Sequence, residues 1–121
     1  MQPLESVFAG VFPGMPEQIR NARGQVRKFL DGCPAADDAV LIVSELAANA
    51  TVHSLSRGGV FTVRVKRYDT CVYLEVEDAG GPWIPALRDD RPHGLDVVRA
   101  LARAWGVKES PGRIVWATVN F

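Results

Sequence analysis

The stretch VSELAANATVHS, from Val43 to Ser54, carries an acid, an amide and an imidazole within an otherwise largely apolar segment. Glu45, Asn49 and His53 recur every four residues, so a helix over this segment places all three on one face. The core stripe of that helix consists of apolar residues, namely Ile42, Val43, Leu46, Ala47 and Ala50. Glu45 and Asn49 lie at the edge of the stripe, where an unpaired carboxylate loses solvation. The pattern therefore predicts a polar partner beside them.

The helix alone leaves the nature of that partner open. Glu45 could pair with an arginine of the preceding helix, Arg20 or Arg23, while Asn49 caps a loop. Alternatively, both side chains could hold a ligand. The opposite face of the helix is predicted to be solvated and is marked by Asp37, Ser44 and Thr51.

Length and composition limit the classes of protein to consider. The chain has 121 residues, of which 47% are hydrophobic, so we expect one compact domain over residues 1–121. Its formal net charge is zero, which argues against direct nucleic-acid binding. The N-terminus has no signal-like run, and no segment reaches the about 20 apolar residues of a membrane span, so a cytoplasmic protein is expected. Cys33 and Cys71 show no pairing or zinc motif and are interpreted as reduced structural residues.

Hydrophobic periodicity predicts the order of elements along the chain. The expected elements are a strand at 6–12, helices at 14–30 and 35–53, a hairpin at 58–78, a loop at 79–94, a helix at 95–105 and a closing strand pair at 106–121. Together they indicate an α+β two-layer sandwich, in which a mixed, mainly antiparallel sheet is covered on one face by three helices.

A second informative stretch is EVEDAGGPW, which ends a predicted strand at Asp78. Gly80 and Gly81 would let the backbone approach a flat ligand, and the Asp78 carboxylate could accept a hydrogen bond from an exocyclic amine such as that of adenine. The alternative is an ordinary turn after a strand. The third stretch, RPHGLDVV, places His93, Gly94 and Leu95 at the start of a helix. Free N–H groups there favour a phosphate, although an ordinary loop-to-helix junction has the same composition.

In this order and on these elements, the three stretches resemble the GHKL, or Bergerat-fold, ATPases, particularly the small single-domain anti-sigma-factor serine kinases and similar histidine-kinase-like ATP-binding proteins. The resemblance also includes NAR at 21–23, ALARAWGV at 100–107 and IVWATV at 114–119, so it covers nearly the whole chain. It implies binding of ATP and Mg²⁺, transfer of phosphate to a serine of an anti-sigma-factor antagonist, binding of a sigma factor, and a homodimer through the first strand and helix.

The resemblance also implies roles for individual residues. Asn49 would hold Mg²⁺, Glu45 would be the catalytic base or orient the attacking group, and Asp78 would read the adenine amine. The implied nucleotide-binding residues are Asn49, His53, Asp78, Gly80, Gly81, His93, Gly94 and Leu95. His53 is interpreted either as a supporting hydrogen bonder or as a phosphate contact.

Two positions depart from the family pattern. Pro92 precedes His93 where relatives have a further glycine, and Ile114 stands where relatives often have a threonine near the adenine, unless Thr118 is its counterpart. Three hypotheses follow: a Mg-ATP-dependent serine kinase, a nucleotide-binding interaction module without kinase activity, and a purely structural domain. The family motifs favour the first. The sequence does not identify the protein partners, the target serine or the oligomeric state.

Overall fold

A computed structural model describes residues 3–53, 59–79, 95–109 and 112–121 of the chain. Its elements are β1 (Leu4–Pro13), α1 (Pro16–Phe29), α2 (Ala36–His53), β2 (Val60–Tyr68), β3 (Cys71–Asp78), α3 (Leu95–Leu101), β4 (Ala104–Glu109) and β5 (Arg113–Asn120). The five strands form one sheet in the order β1-β2-β3-β5-β4, and all four described pairings are antiparallel. The predicted α+β sandwich is confirmed.

Strict alternation in the central hairpin creates the core. The inward residues Phe61, Val63, Val65, Val72 and Leu74 are fully buried, and each such burial contributes about 1.5–3 kcal/mol. The residues between them, which are only half-buried, form the opposite face of the sheet, called here the outer face. The helices therefore cover one face only. Among the described helices, none is long and apolar enough to cross a membrane.

Helix α2 lies in the middle of the helical layer, between α1 and α3 and above the sheet. This position corrects the prediction that Thr51 is solvated: Thr51 is 4% exposed, and its hydroxyl donates to the carbonyl oxygen of Ala48 at 3.0 Å. Leu41, conversely, is 45% exposed. A helix with neighbours on several sides has more than one buried face, which a single core stripe does not describe.

The third helix is shorter than predicted, because it ends at Leu101 rather than continuing through Trp105. The N–H of Arg103 donates to the carbonyl oxygen of Thr118 at 2.8 Å, which starts the pairing of β4 with β5. Trp105 then packs beside the core from a strand instead of a helix. Pairing to β5 thus overrides the helical preference of the alanine-rich segment.

The first strand is longer than predicted and forms one edge of the sheet. Phe12 points inward and stacks on Phe61, with their ring centroids 5.5 Å apart. Val7 and Val11 point to the outer face and are 53% and 65% exposed. Among the described strands, β1 is therefore an exposed edge, and its inward residue Phe12 belongs to the core.

Candidate functional site

The polar residues of α2 lie where the sequence predicts them, on one helical face. Asn49 is buried, with 8% of its surface exposed, and Glu45 is half-buried. Their neighbours Leu46 and Ala50 belong to the core. His53 is the last residue of the helix, but its side chain lies outside what the structure describes. An amide and a carboxylate therefore stand side by side at the margin of the helical core.

The pairing of Glu45 with an arginine of the first helix is not formed. Arg20 and Arg23 are exposed on α1, and no described side chain makes an ion pair with Glu45. The two helices are joined instead by Arg27, whose Nη1 donates to Asp37 Oδ1 at 2.8 Å. The interpretation that Glu45 pairs with Arg20 or Arg23 is therefore wrong.

Asp78 ends β3 on the face that the helices cover. Because side chains alternate along a strand, Asp78 shares this face with Val72, Leu74 and Val76. It is 8% exposed. A carboxylate this deeply buried needs partners for its charge, and Asp78 does have interactions within the protein. Asp78 is therefore a buried acid on the helix-covered face, and its predicted role in adenine recognition stays a prediction.

The topology brings Asn49 and Asp78 toward the same end of the sandwich. Segment 54–59 joins the end of α2 to Val60, and the register places Thr62 of β2 opposite Glu77 of β3. The end of α2 is therefore connected by a short segment to the end of the sheet where β3 stops. Since α2 also packs against β3, Asn49 and Asp78 are buried on two elements that are in contact.

Arg113 is a site residue that the sequence analysis did not identify. It lies directly opposite Asp78 in the β3–β5 register and opposite Glu109 in the β4–β5 register. Its side chain is 6% exposed, and its Nε–H donates to Glu109 Oε1 at 3.4 Å. The alternation Arg113, Val115, Ala117 would have revealed an inward-facing arginine, because the two hydrophobic residues are core. An acid, a base and an acid thus form one row across three strands.

This register corrects the comparison made at Ile114. Ile114 and Thr118 both alternate with the buried residues of β5, so both point to the outer face. Ile114 pairs with Glu77 and Thr118 with Tyr73, which are outer-face residues as well. Neither side chain can support a base bound over Asp78. Arg113 is the residue of β5 that faces the same side as Asp78.

Gly112 is a second residue that sequence analysis missed. A side-chain carbon built on Gly112 would overlap the backbone carbonyl oxygen of Asp78. Only a glycine therefore permits the chain to enter β5 this close to the end of β3. The nearest sequence signal is the PG pair at 111–112, which indicates a turn but not a contact with a particular residue.

The outer face carries a separate polar network. Arg64 bridges Glu75 and Glu77 at 2.9 and 2.8 Å, and its hydrogen bond to Glu77 is the main reason that its pKa is raised. The Tyr73 hydroxyl donates to Glu75 at 2.9 Å, and burial together with this hydrogen bond raises the pKa of Tyr73 to about 12.

An open cavity of about 620 Å³ lies beside this network, and its lining residues are Gly59, Val60, Thr62, Arg64, Glu77, Asp78, Ala79 and Gly112. Thr62, Arg64 and Glu77 point to the outer face, and the cavity extends from them to Asp78 at the end of β3. Asp78 therefore borders this cavity, whereas Asn49 does not.

Several predicted site residues fall outside the described part of the chain. They are Gly80, Gly81, His93 and Gly94, together with Pro92. Leu95 is described: it begins α3, is half-buried and packs against the core. The predicted contacts of this segment with phosphates stay predictions.

Comparisons with known proteins support the fold. No family model and no curated protein matches the sequence. Among solved structures, the chain is similar to the crystal structure of the RsbU and RsbW domains of Rv1364c from Mycobacterium tuberculosis, with a TM-score of 0.74 and 19% sequence identity. The match covers 96% of this chain and 32% of that longer chain. The fold predicted from the resemblance to the GHKL ATPases is thereby confirmed.

Proposed function

We propose that this chain is an ATP-binding regulatory protein that transfers the γ-phosphate of ATP to a serine of a protein antagonist, as anti-sigma-factor kinases do. The observation that supports this function most strongly is the burial of Asn49 and Asp78 on two facing elements, α2 and β3, within a fold shared with an RsbW-containing structure.

The side chains present fit Mg²⁺ and ATP chemically. Mg²⁺ prefers oxygen ligands and usually keeps several waters, so the amide oxygen of Asn49 is a suitable protein ligand beside phosphate oxygens. Bound Mg²⁺ would neutralise charge on the phosphates. Asp78 would accept a hydrogen bond from the adenine amine. Glu45, one turn before Asn49 and without a described ion-pair partner, would orient or deprotonate the serine hydroxyl.

The test is transfer of the γ-phosphate to candidate antagonist proteins, measured for the wild type and for Glu45→Gln. The amide keeps the size of the side chain but cannot accept the proton, so the transfer rate should fall by about 10²–10⁴-fold while ATP still binds. Glu17→Gln is the matched control, since Glu17 is exposed in the first turn of α1 and should transfer normally.

The alternative is a nucleotide-binding interaction module without kinase activity. Two observations favour this alternative: no family model or curated protein matches the sequence, and Pro92 stands where relatives have a glycine. It takes over if the wild type binds Mg-ATP, transfers phosphate to no candidate protein, and cannot be distinguished from Glu45→Gln.

We further propose that two copies pair through β1 and α1, with a sigma factor and its antagonist as the protein partners. In the described residues, β1 pairs with β2 on one side only, and its exposed Val7 and Val11 lie along this edge. An edge strand with exposed branched residues readily pairs with another strand. Light scattering should show a dimer that Val11→Lys weakens, whereas a monomer at high micromolar concentration, with and without nucleotide, would remove the dimer.

A further inference from the structure

We propose that Arg113 is a second base-reading residue of the nucleotide pocket, which donates a hydrogen bond to the ring nitrogen N1 of adenine while Asp78 accepts one from the amino group. The inference rests on the proposed ATP binding and adds a specificity-determining residue to it. Arg113 is not among the residues that the family resemblance implies. The resemblance places Ile114 at the position near the adenine, whereas the β3–β5 register places Arg113 opposite Asp78.

Position is the first argument. Residues directly opposite each other on one face of an antiparallel pair have their Cβ atoms about 4.5–5.5 Å apart. Asp78 and Arg113 are such a pair, and both face the helical layer. A flat base lying over Asp78 would therefore have Arg113 as its nearest neighbour in β5.

Burial and charge are the second argument. Arg113 is 5% exposed, which is rare for an arginine unless it is paired. Its Nε–H contacts Glu109 at 3.4 Å, but that carboxylate is 70% exposed, so solvent screens the pair. A guanidinium has five N–H donors, and the contact with Glu109 uses the one on Nε. The Arg113 guanidinium, a hydrogen-bond donor, and the Asp78 carboxylate, an acceptor, therefore suit a ligand that carries both an acceptor and a donor.

Complementarity to adenine is the third argument. The edge of adenine presents a donor, the amino group, next to an acceptor, N1. Asp78 is an acceptor only and Arg113 a donor only, so the pair presents the matching pattern across two neighbouring strands. Guanine presents the reverse order, an oxo acceptor next to an N1–H donor. It would have to turn over to satisfy both side chains, which would move its ribose away from the position used by adenosine.

The experiment compares the dissociation constants of ATP and 1-deaza-ATP, in which a C–H group replaces N1. A hydrogen bond to a charged group contributes about 1.5–3 kcal/mol, so 1-deaza-ATP should bind the wild type about 10- to 100-fold more weakly than ATP. 7-Deaza-ATP is the control ligand and should bind like ATP. This comparison needs no variant, so it stands even if a substitution at the buried Arg113 impairs folding.

Variants then assign the effect to Arg113. Arg113→Met should bind ATP only as tightly as the wild type binds 1-deaza-ATP. The variant should also bind ATP and 1-deaza-ATP with equal affinity. Arg113→Lys should restore part of the preference for N1. Arg99→Met is the matched control, because Arg99 is 67% exposed on α3 and should keep the full preference.

The outcomes separate this inference from the function on which it rests. Equal affinities of the wild type for ATP and 1-deaza-ATP, or an unchanged deaza penalty in folded Arg113→Met, would overturn the role of Arg113 and leave ATP binding intact. Absence of any ATP binding would overturn both. The expected result is that the wild type binds 1-deaza-ATP more weakly than ATP, whereas Arg113→Met binds the two ligands equally.

Discussion

Asp78 in β3 and Arg113 in β5 lie directly opposite each other, and both buried side chains face the helices. The end of the sheet beneath α2 is therefore polar and charged, although the surrounding face consists of valine, leucine and phenylalanine. Polar groups in such a place are stabilised by one another or by a ligand. The predictions below distinguish the contribution of a nucleotide from that of the protein.

Asp78→Asn tests the reading of the adenine amine. The amide keeps the shape of the side chain but loses the charge of the acceptor, so ATP should bind about 10- to 100-fold more weakly. Calorimetry measures the affinity, and thermal unfolding checks that the fold persists. Asp69→Asn, in the exposed β2–β3 turn at the other end of the strand, is the control. Equal wild-type affinities for ATP and GTP would contradict the assignment of Asp78.

Asn49→Ala tests the magnesium ligand. Removal of the amide oxygen should largely abolish the difference in ATP affinity between solutions with Mg²⁺ and solutions with a chelator. Gln25→Ala, at an exposed position of α1, should leave that difference unchanged. If Asn49→Ala instead lowers the melting temperature without nucleotide and keeps the full magnesium dependence, Asn49 serves the structure of the protein alone.

Gly112→Ala tests the close approach between the start of β5 and the end of β3. The added methyl group overlaps the Asp78 carbonyl oxygen, so we expect a loss of about 1–3 kcal/mol in the free energy of unfolding and weaker ATP binding. Gly24→Ala is the matched control, because nothing lies within 4 Å of a side-chain carbon there. Alanine should stabilise that exposed helical position by about 0.5–1 kcal/mol. Equal melting temperatures for the two variants would contradict the contact.

Tyr73 gives the outer face a pH dependence of its own. Its pKa of about 12 in the folded protein exceeds the value of about 10 expected for an unfolded chain. The contribution of Tyr73 to stability is therefore complete below the lower value and is lost as the pH rises from there through the higher one. Denaturant unfolding should show that Tyr73→Phe loses less stability than the wild type between about pH 10 and 12. Parallel profiles would contradict a raised pKa.

Periodicity was sufficient for most of the fold. The strict alternation of β2 and β3 predicts both strands, because each strand buries one regular face, and the long apolar arc of α2 predicts a helix. The errors arose where tertiary packing decides. Thr51 is buried because α2 has neighbours on several sides, and Trp105 is in a strand because β5 offers pairing partners.

Some residues of the candidate site could be predicted from the sequence, and others required the strand register. Glu45, Asn49 and Asp78 could be found from the sequence because each interrupts an apolar pattern. Arg113 and Gly112 could not be linked to Asp78 without the register, since residues 78 and 113 belong to strands that are distant in the chain. The predicted roles of Gly80, Gly81, His93 and Gly94 stay predictions, because these residues lie outside the described ranges.

Calorimetric titration of the wild-type protein with ATP, in the presence and absence of Mg²⁺, tests the central claim most directly. We expect saturable binding at one site, tighter with Mg²⁺ than without it, and a melting temperature that rises with Mg-ATP concentration because the ligand binds only the folded state. GTP should bind more weakly under the same conditions. Absence of binding heat at millimolar ATP, together with an unchanged melting temperature, would contradict the proposal that Asn49 and Asp78 form a nucleotide site.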